Sequence, residues 1–417
     1  MKRLLSVLII MTIFVVGCSS DKEVIKINEE GFKLFSEGKY QEALEQYNKA
    51  IEEYPEFSTS YANRGMIYFE IGSYDEALKD VDKAIGLNGK DAVAYSNRGY
   101  MNLALGKVQK AIDDLDKAIE LRNYFQEKES LGITYTTRGT AYGLVGEYEK
   151  GIESFNKALK INKNDKTIYN ARGILYKDWG KYDEALESYN KALSIDQSYA
   201  YAYANRAFVF FITKEYDKAL ADVNTAIDIN PIIPQVYNTK ALIYSEKNET
   251  DRAIEIYDFI IDKWDNYADA YIGRGNEYLK KKEYGEALIN YSVAADYGNI
   301  DALAQKGYLH EYLEQNEEAI KAFEEYLEAV PGNYDITIEI GDLYQQLEEY
   351  DKSIEYYDQA IKINPDIYNS YFKKGLSLEY QENYEEALKM FNKVLEINEN
   401  QVDAKNEIKF IDEKLKR

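Results

Sequence analysis

The chain has 417 residues, 51 of them basic and 74 acidic, and a formal net charge of −23. A body this acidic is repelled by the nucleic-acid backbone and by anionic lipid headgroups, which excludes nucleic acid as a partner. With one cysteine and one histidine, a disulfide framework is excluded, and zinc sites or Cys–His nucleophile systems lack parts.

The first residues differ in kind from the rest. Lys2-Arg3 precede an apolar stretch, Leu4–Val16, too short for a spanning helix of about 20 apolar residues and suited to a signal h-region. It ends in Val15-Val16-Gly17-Cys18, which resembles the bacterial lipobox, where a small residue precedes a cysteine that is diacylated and becomes the mature N-terminus. The resemblance implies a lipoprotein signal peptide over 1–17, lipidation at Cys18, and a short tether over 18–23. At least two acyl chains make such an anchor stable, because one alone is marginal. The location implied is the bacterial cell envelope, on a lipid-anchored membrane. Ser19 after the cysteine points to the outer membrane if the envelope is Gram-negative.

From residue 24 to 401 a 34-residue period takes over, with eleven copies. A small slot reads Gly31, Gly65, Gly99, Gly139, Gly173, Ala207, Ala241, Gly275, Gly307, Gly341 and Gly375. A second, twelve residues later, reads Ala43, Ala77, Ala111, Gly151, Ala185, Ala219, Ala253, Ala287, Ala319, Ser353 and Ala387. Each unit holds two amphipathic segments, as in Ser60–Ile71 and Tyr74–Leu87 on either side of Gly72-Ser73. Two helices packed antiparallel need small residues where their axes approach most closely. Pro55, Pro231, Pro331 and Pro365 share one position just past the second helix, where proline stops a helix.

Repeat five shows the pattern well, with Gly173, Tyr176, Gly180, Tyr182, Ala185, Tyr189 and Ala192. In these residues the chain resembles the tetratricopeptide repeat (TPR) family. The resemblance implies an all-α fold, a right-handed TPR superhelix (α-solenoid) of about eleven helix-turn-helix repeats. Tyrosine fills most of the family's tryptophan positions, so the 41 tyrosines read as packing. Residues 402–417 read as a capping helix with Ala404, Ile408, Ile411 and Leu415 on one stripe, as a solenoid end requires. Two spacings depart from the period. Gly99 to Gly139 is 40 residues, which predicts a longer second helix or following turn in repeat three, and Gly275 to Gly307 is 32, which predicts a shorter turn near Tyr297–Asn299.

No catalytic constellation is present, and the chain reads as non-enzymatic, with no cofactor and no metal. His310 falls in a tyrosine slot and reads as a packing residue. One polar pattern recurs: Arg64, Arg98, Arg138, Arg172, Arg206 and Arg274 stand just before the small slot. Asp80, Asp114 and Asp222 lie sixteen residues after three of them, which predicts the ion pairs Arg64–Asp80, Arg98–Asp114 and Arg206–Asp222, since buried charges are paired. Arg138, Arg172 and Arg274 face Ser154, Ser188 and Asn290 and are the candidates for a free guanidinium.

The TPR resemblance further implies that positions one and four after the small slot line a concave groove. They include Phe32, Phe35, Met66, Phe69, Tyr100, Phe208 and Phe211. Asn63, Asn97 and Asn205, two before the slot, would bond the backbone of an extended peptide. The groove is aromatic in its first half and acidic-polar in its second. The expected function is a membrane-anchored scaffold or adaptor in the bacterial cell envelope that binds protein or peptide partners. The alternative is a peptide or small-ligand carrier for an uptake or cell-wall system.

Overall fold

A computed structural model describes residues 22–125 and 128–415. Cys18, the signal segment and most of the tether lie outside the described residues. The chain is all-α and forms two compact units that meet between Val236 and Tyr237, inside helix α13 (Pro234–Glu246).

In the first unit, repeats one to six are α1 (Lys22–Ser36) with α2 (Tyr40–Glu53), α3 (Ser58–Glu70) with α4 (Tyr74–Leu87), α5 (Ala92–Ala104) with α6 (Val108–Glu120), α7 (Lys128–Leu144) with α8 (Tyr148–Ile161), α9 (Lys166–Asp178) with α10 (Tyr182–Ile195), and α11 (Ala200–Ile212) with α12 (Tyr216–Ile229). The second unit continues from α13 with α14 (Thr250–Lys263), α15 (Ala268–Lys280), α16 (Tyr284–Asp296), α17 (Asp301–Tyr312), α18 (Asn316–Ala329), α19 (Tyr334–Gln346), α20 (Tyr350–Ile363), α21 (Tyr368–Tyr380) and α22 (Tyr384–Ile397). α23 (Val402–Leu415) closes the series. Within each unit a first helix packs on its own second helix, and that second helix packs on the next first helix.

The small slot exists because of one large neighbour. Sixteen residues after it, on the second helix, stands a buried residue such as Tyr47, Phe155, Tyr189, Tyr291, Phe323, Tyr357 or Phe391. A methyl group at Gly31 would come within 2.9 Å of the Tyr47 ring, and one at Gly375 within 2.7 Å of Phe391. In repeat six the slot is Ala207, and its opposite number is the smaller Val223, fully buried. Repeat seven also has alanine, at Ala241, while its Tyr257 ring lies against Gly273 of α15. The glycine at 151, where other repeats have alanine or serine, is explained by Leu175 of α9, whose Cδ2 would lie 2.6 Å from a Cβ there.

The turn between the two helices of each repeat is equally regular. Its second residue adopts positive φ in all eleven repeats. Glycine serves in the first five (Gly38, Gly72, Gly106, Gly146, Gly180), while Lys214, Asn248, Lys282, Glu314, Glu348 and Glu382 hold φ of 58 to 62° in the rest. Backbone bonds close the turn, as in Lys39 N donating to Leu34 O at 2.9 Å.

The first departure from the period is absorbed partly as the sequence leads one to expect, in a longer turn after α6, and the second differently. The additional residues do not lengthen α6, which keeps 13 residues; they form a 3₁₀ turn at Arg122–Tyr124 and extend the following α7 to 17 residues. The shorter spacing does not shorten the turn before α17. It removes one residue from each flanking helix, leaving α16 with 13 and α17 with 12. Gly298, at φ 84°, ends α16 by donating to Ala295 O.

Candidate peptide-binding interface

The recurring arginine is a fork with two arms. Arg64 Nε and Nη2 donate to both carboxylate oxygens of Asp80 at 2.7 and 2.8 Å. Arg98 does the same to Asp114 at 3.0 and 2.6 Å, and Arg206 to Asp222 at 2.6 and 2.7 Å. These bidentate, charge-assisted pairs join the two helices of one repeat. The remaining nitrogen, Nη1, reaches back to the second helix of the preceding repeat: Arg64 to Asn48, Arg98 to Asp82, and Arg206 to Asn190, at 2.5 to 2.6 Å. The Tyr61, Tyr95 and Tyr203 rings face these guanidinium groups at 5.3 to 5.7 Å, so the tyrosines frame charge as well as fill space. The pairing with Asp80 and Asp114 holds the Arg64 and Arg98 pKa values above the usual arginine value.

Two of the three arginines expected to be free are not. Arg138 donates to Ser154 at 3.1 Å and pairs with Asp116 at 2.7 Å. Arg274 donates to Asn290 at 2.8 Å and pairs with Asp258 at 2.5 Å. Lys374, in the same slot, pairs with Asp358 at 2.6 Å. The backward arm was missed in the sequence, although its signal is there. Asn or Asp recurs seventeen residues after the small slot at Asn48, Asp82, Asp116, Asn156, Asn190, Asn224, Asp258, Asp358 and Asn392.

The expected groove residues separate into two groups. Phe35, Met66 and Phe69 are buried, at 8, 6 and 9% exposure. Phe35 and Phe69 pack at a tilt against Tyr40 and Tyr74 at the start of the second helix, with centroids 5.5 and 5.2 Å apart, and so close the hairpin from inside. Met66 packs with Phe69 and Met101. Asn63 is 4% exposed, too enclosed to meet a peptide. Asn205 donates to Asn170 of the preceding repeat at 2.9 Å. By contrast Phe32, Asn97, Tyr100, Phe208 and Phe211 are only half-buried on the first helices. Phe208 and Phe211 lie 6.0 Å apart, with Lys177 Nζ 5.5 Å from the Phe208 ring.

In the second unit the corresponding helices carry acid. Glu277, 1% exposed, accepts from Ser245 at 2.5 Å and Lys280 at 2.9 Å. Asp342 accepts from Lys373 and from the Tyr357 hydroxyl at 2.7 Å. Burial, then the charge of Glu311 and a hydrogen bond to it, push Glu339 up to about 7. Burial and Glu407 do the same to Glu379. His310 Nδ1 is 2.7 Å from Gln315 Oε1, a turn contact rather than core packing. Among the described residues no cluster of three or more His, Cys, Asp or Glu could hold a metal ion.

Sequence profiles described as tetratricopeptide repeat match residues 33–92, 90–164, 154–187, 234–258, 300–333 and 334–400, and one described as TPR repeat matches 175–212. Among solved structures, a tetratricopeptide repeat protein from Parabacteroides merdae ATCC 43184 is similar at 21% identity, over 61% of this chain and 98% of that one, with a TM-score of 0.50. The human IFIT1 dimer with PPP-AAAA is similar at 14% identity, over 91% of this chain and 92% of that one, with a TM-score of 0.53. At such identities the likeness concerns the fold alone. No curated protein matches the chain. Profiles, paired helices and recurring slots agree: the chain belongs to the tetratricopeptide repeat family, all-α solenoids that act as scaffolds for protein–protein interaction.

Proposed function

We propose that this protein is a lipid-anchored scaffold of the bacterial cell envelope that holds partner segments against the first helices of its first unit. The observation that carries the reading is the half-buried aromatic set Phe32, Tyr100, Phe208 and Phe211. These rings remain open where Phe35, Met66 and Phe69 do not, and aromatic side chains concentrate at binding hot spots. Attachment is supported by Cys18, the one cysteine in the chain, standing directly after an apolar stretch and a glycine. Among the described residues no helix is long and apolar enough to cross a membrane, so in this reading the acyl chains make the bilayer contact.

A photo-cross-linking amino acid at Phe208, in cells producing the full chain, tests the groove. The expected result is one or a few discrete protein adducts that are absent when the cross-linker replaces the exposed Asp262. A smear common to both positions, or no adduct from Phe208, would overturn it. Cys18→Ser tests the anchor: radiolabelled palmitate incorporation should vanish and the protein should leave the membrane fraction. A variant that stays labelled would refute lipidation at Cys18.

A further inference from the structure

We propose that repeat five carries an oxyanion-binding site built on Arg172 and Lys191, which takes a carboxylate or phosphate group from outside the chain. It is separate from the aromatic face above and stands or falls independently of it.

The first observation is a broken rule. Arg64, Arg98, Arg138, Arg206 and Arg274 each have at least one carboxylate, from Asp80, Asp82 and Asp114, Asp116, Asp222 and Asp258 respectively. In repeat five both partner positions are neutral. Arg172 Nε donates to Ser188 Oγ at 3.3 Å and Nη1 to Asn156 Oδ1 at 3.1 Å. Nη2, which in Arg64, Arg98 and Arg206 holds the second carboxylate oxygen, meets no acceptor among the described residues. The Tyr169 ring, 5.2 Å from Arg172 Cζ, supports the guanidinium from one side. A planar fork with a free edge suits a two-oxygen acceptor, and its charge cannot be removed by deprotonation.

The second observation is where that group stands. Arg172 and Tyr169 line an open depression of about 430 Å³, together with Glu187, Asn190, Lys191 and Ser194. The lysine brings a second cation from the facing helix, and Asn190 an amide donor. The surrounding sequence also reverses the overall charge balance. Between residues 138 and 194 there are ten basic and eight acidic side chains, in a chain whose net charge is −23. Glu187 is the one acid in the depression. It limits the site to a single oxyanion and disfavours polyanions such as a nucleic-acid strand.

The test follows the Arg172 side-chain Nε signal by NMR on the full chain at constant ionic strength. One titration uses inorganic phosphate, the other acetyl-Gly-Gly with a free terminal carboxylate. Arg172 should shift saturably while Arg98, closed on Asp114 and Asp82, does not. Phosphate saturating first identifies a phosphate ligand, and the dipeptide saturating first identifies a peptide carboxylate; either supports the site. Asn156→Asp restores the carboxylate that Asp82, Asp116 and Asp258 supply elsewhere, and should weaken binding at least about tenfold while leaving the fold intact. Lys191→Ala, at an exposed position, should weaken it about threefold, and Glu187→Gln should tighten it by a similar factor. If Arg172 moves only in step with Arg98, or if Asn156→Asp responds like the parent, the proposal is overturned.

Discussion

Asp114 is the most informative residue to remove. It is 7% exposed and accepts three hydrogen bonds: Arg98 Nε at 3.0 Å, Arg98 Nη2 at 2.6 Å and Asn102 Nδ2 at 3.0 Å. All three reach the carboxylate and are charge-assisted, at roughly 1.5 kcal/mol each. Arg98 keeps Asp82 and about a quarter of its side-chain surface, so water recovers part of that loss. Asp114→Ala should therefore lose about 3 kcal/mol, less than the 3–5 kcal/mol of a fully enclosed broken pair. Asp82→Ala should lose only about 0.5 kcal/mol, because Asp82 is more than half exposed. The double variant Arg98→Met with Asp114→Leu should recover part of the Asp114→Ala loss, since an apolar pair needs no partner, and stay about 1 kcal/mol below the parent because the buried Asn102 amide loses its acceptor. Urea unfolding followed by circular dichroism reads all three. Asp114→Ala and Asp82→Ala losing equally, or the double variant losing the sum of its parts, would show that the clasp does not work as described.

Other expectations follow from single features. Glu348 holds φ of 59°, so Glu348→Gly should raise the urea midpoint by an amount worth about 0.5–1 kcal/mol, while Gly38→Ala, at φ 76°, should lower it by about 1 kcal/mol. A methyl at Gly273 would enter the buried Tyr257 ring, whereas one at Gly285 meets nothing within 4 Å. Gly273→Ala should thus lose about 1–3 kcal/mol and Gly285→Ala should gain about 0.5–1 kcal/mol in thermal unfolding. Glu339 has a folded pKa of about 7, above its ordinary 4.5, owing to burial, Glu311 and Asp342, with Lys373 opposing. The folded state therefore holds an extra proton between about pH 4.5 and 7, and that contribution is lost as pH rises through the window. Glu339→Gln should be the more stable protein at pH 8 and should flatten the pH dependence between 5 and 8; an unchanged profile would count against the Glu311–Glu339 contact.

Helix pairing and the forward arm of the clasp were legible because each lives within one repeat. Arg98 and Asp114 are separated by one helix, a turn and part of another, so their register follows from the period alone. The backward arm to Asp82 spans the same sixteen residues but crosses a repeat boundary, so its signal lay in the Asn/Asp recurrence of the neighbouring repeat. Burial was the harder problem. Phe35 and Phe32 sit on one helix three residues apart, and only the neighbouring helices decide which ring is covered. The spacing anomalies were similarly ambiguous. A count of 40 or 32 residues says that length changed but not which segment took it, and here the turn after α6 and the helices α7, α16 and α17 took it.

The two-armed arginine gives the first unit a direction. The arginine bonds across a repeat boundary there all come from the later repeat's guanidinium, reaching to an acceptor on the earlier one. Loss of the last repeat leaves behind an acceptor such as Asp82, which is exposed enough for water to satisfy. Loss of the first repeat strips an arm from an Arg64 side chain already mostly enclosed. Fraying should thus begin at the C-terminal end of such a stack. Synthesis runs the opposite way: each repeat leaving the ribosome brings its own donor to an acceptor already in place, so the array can lengthen one closed unit at a time.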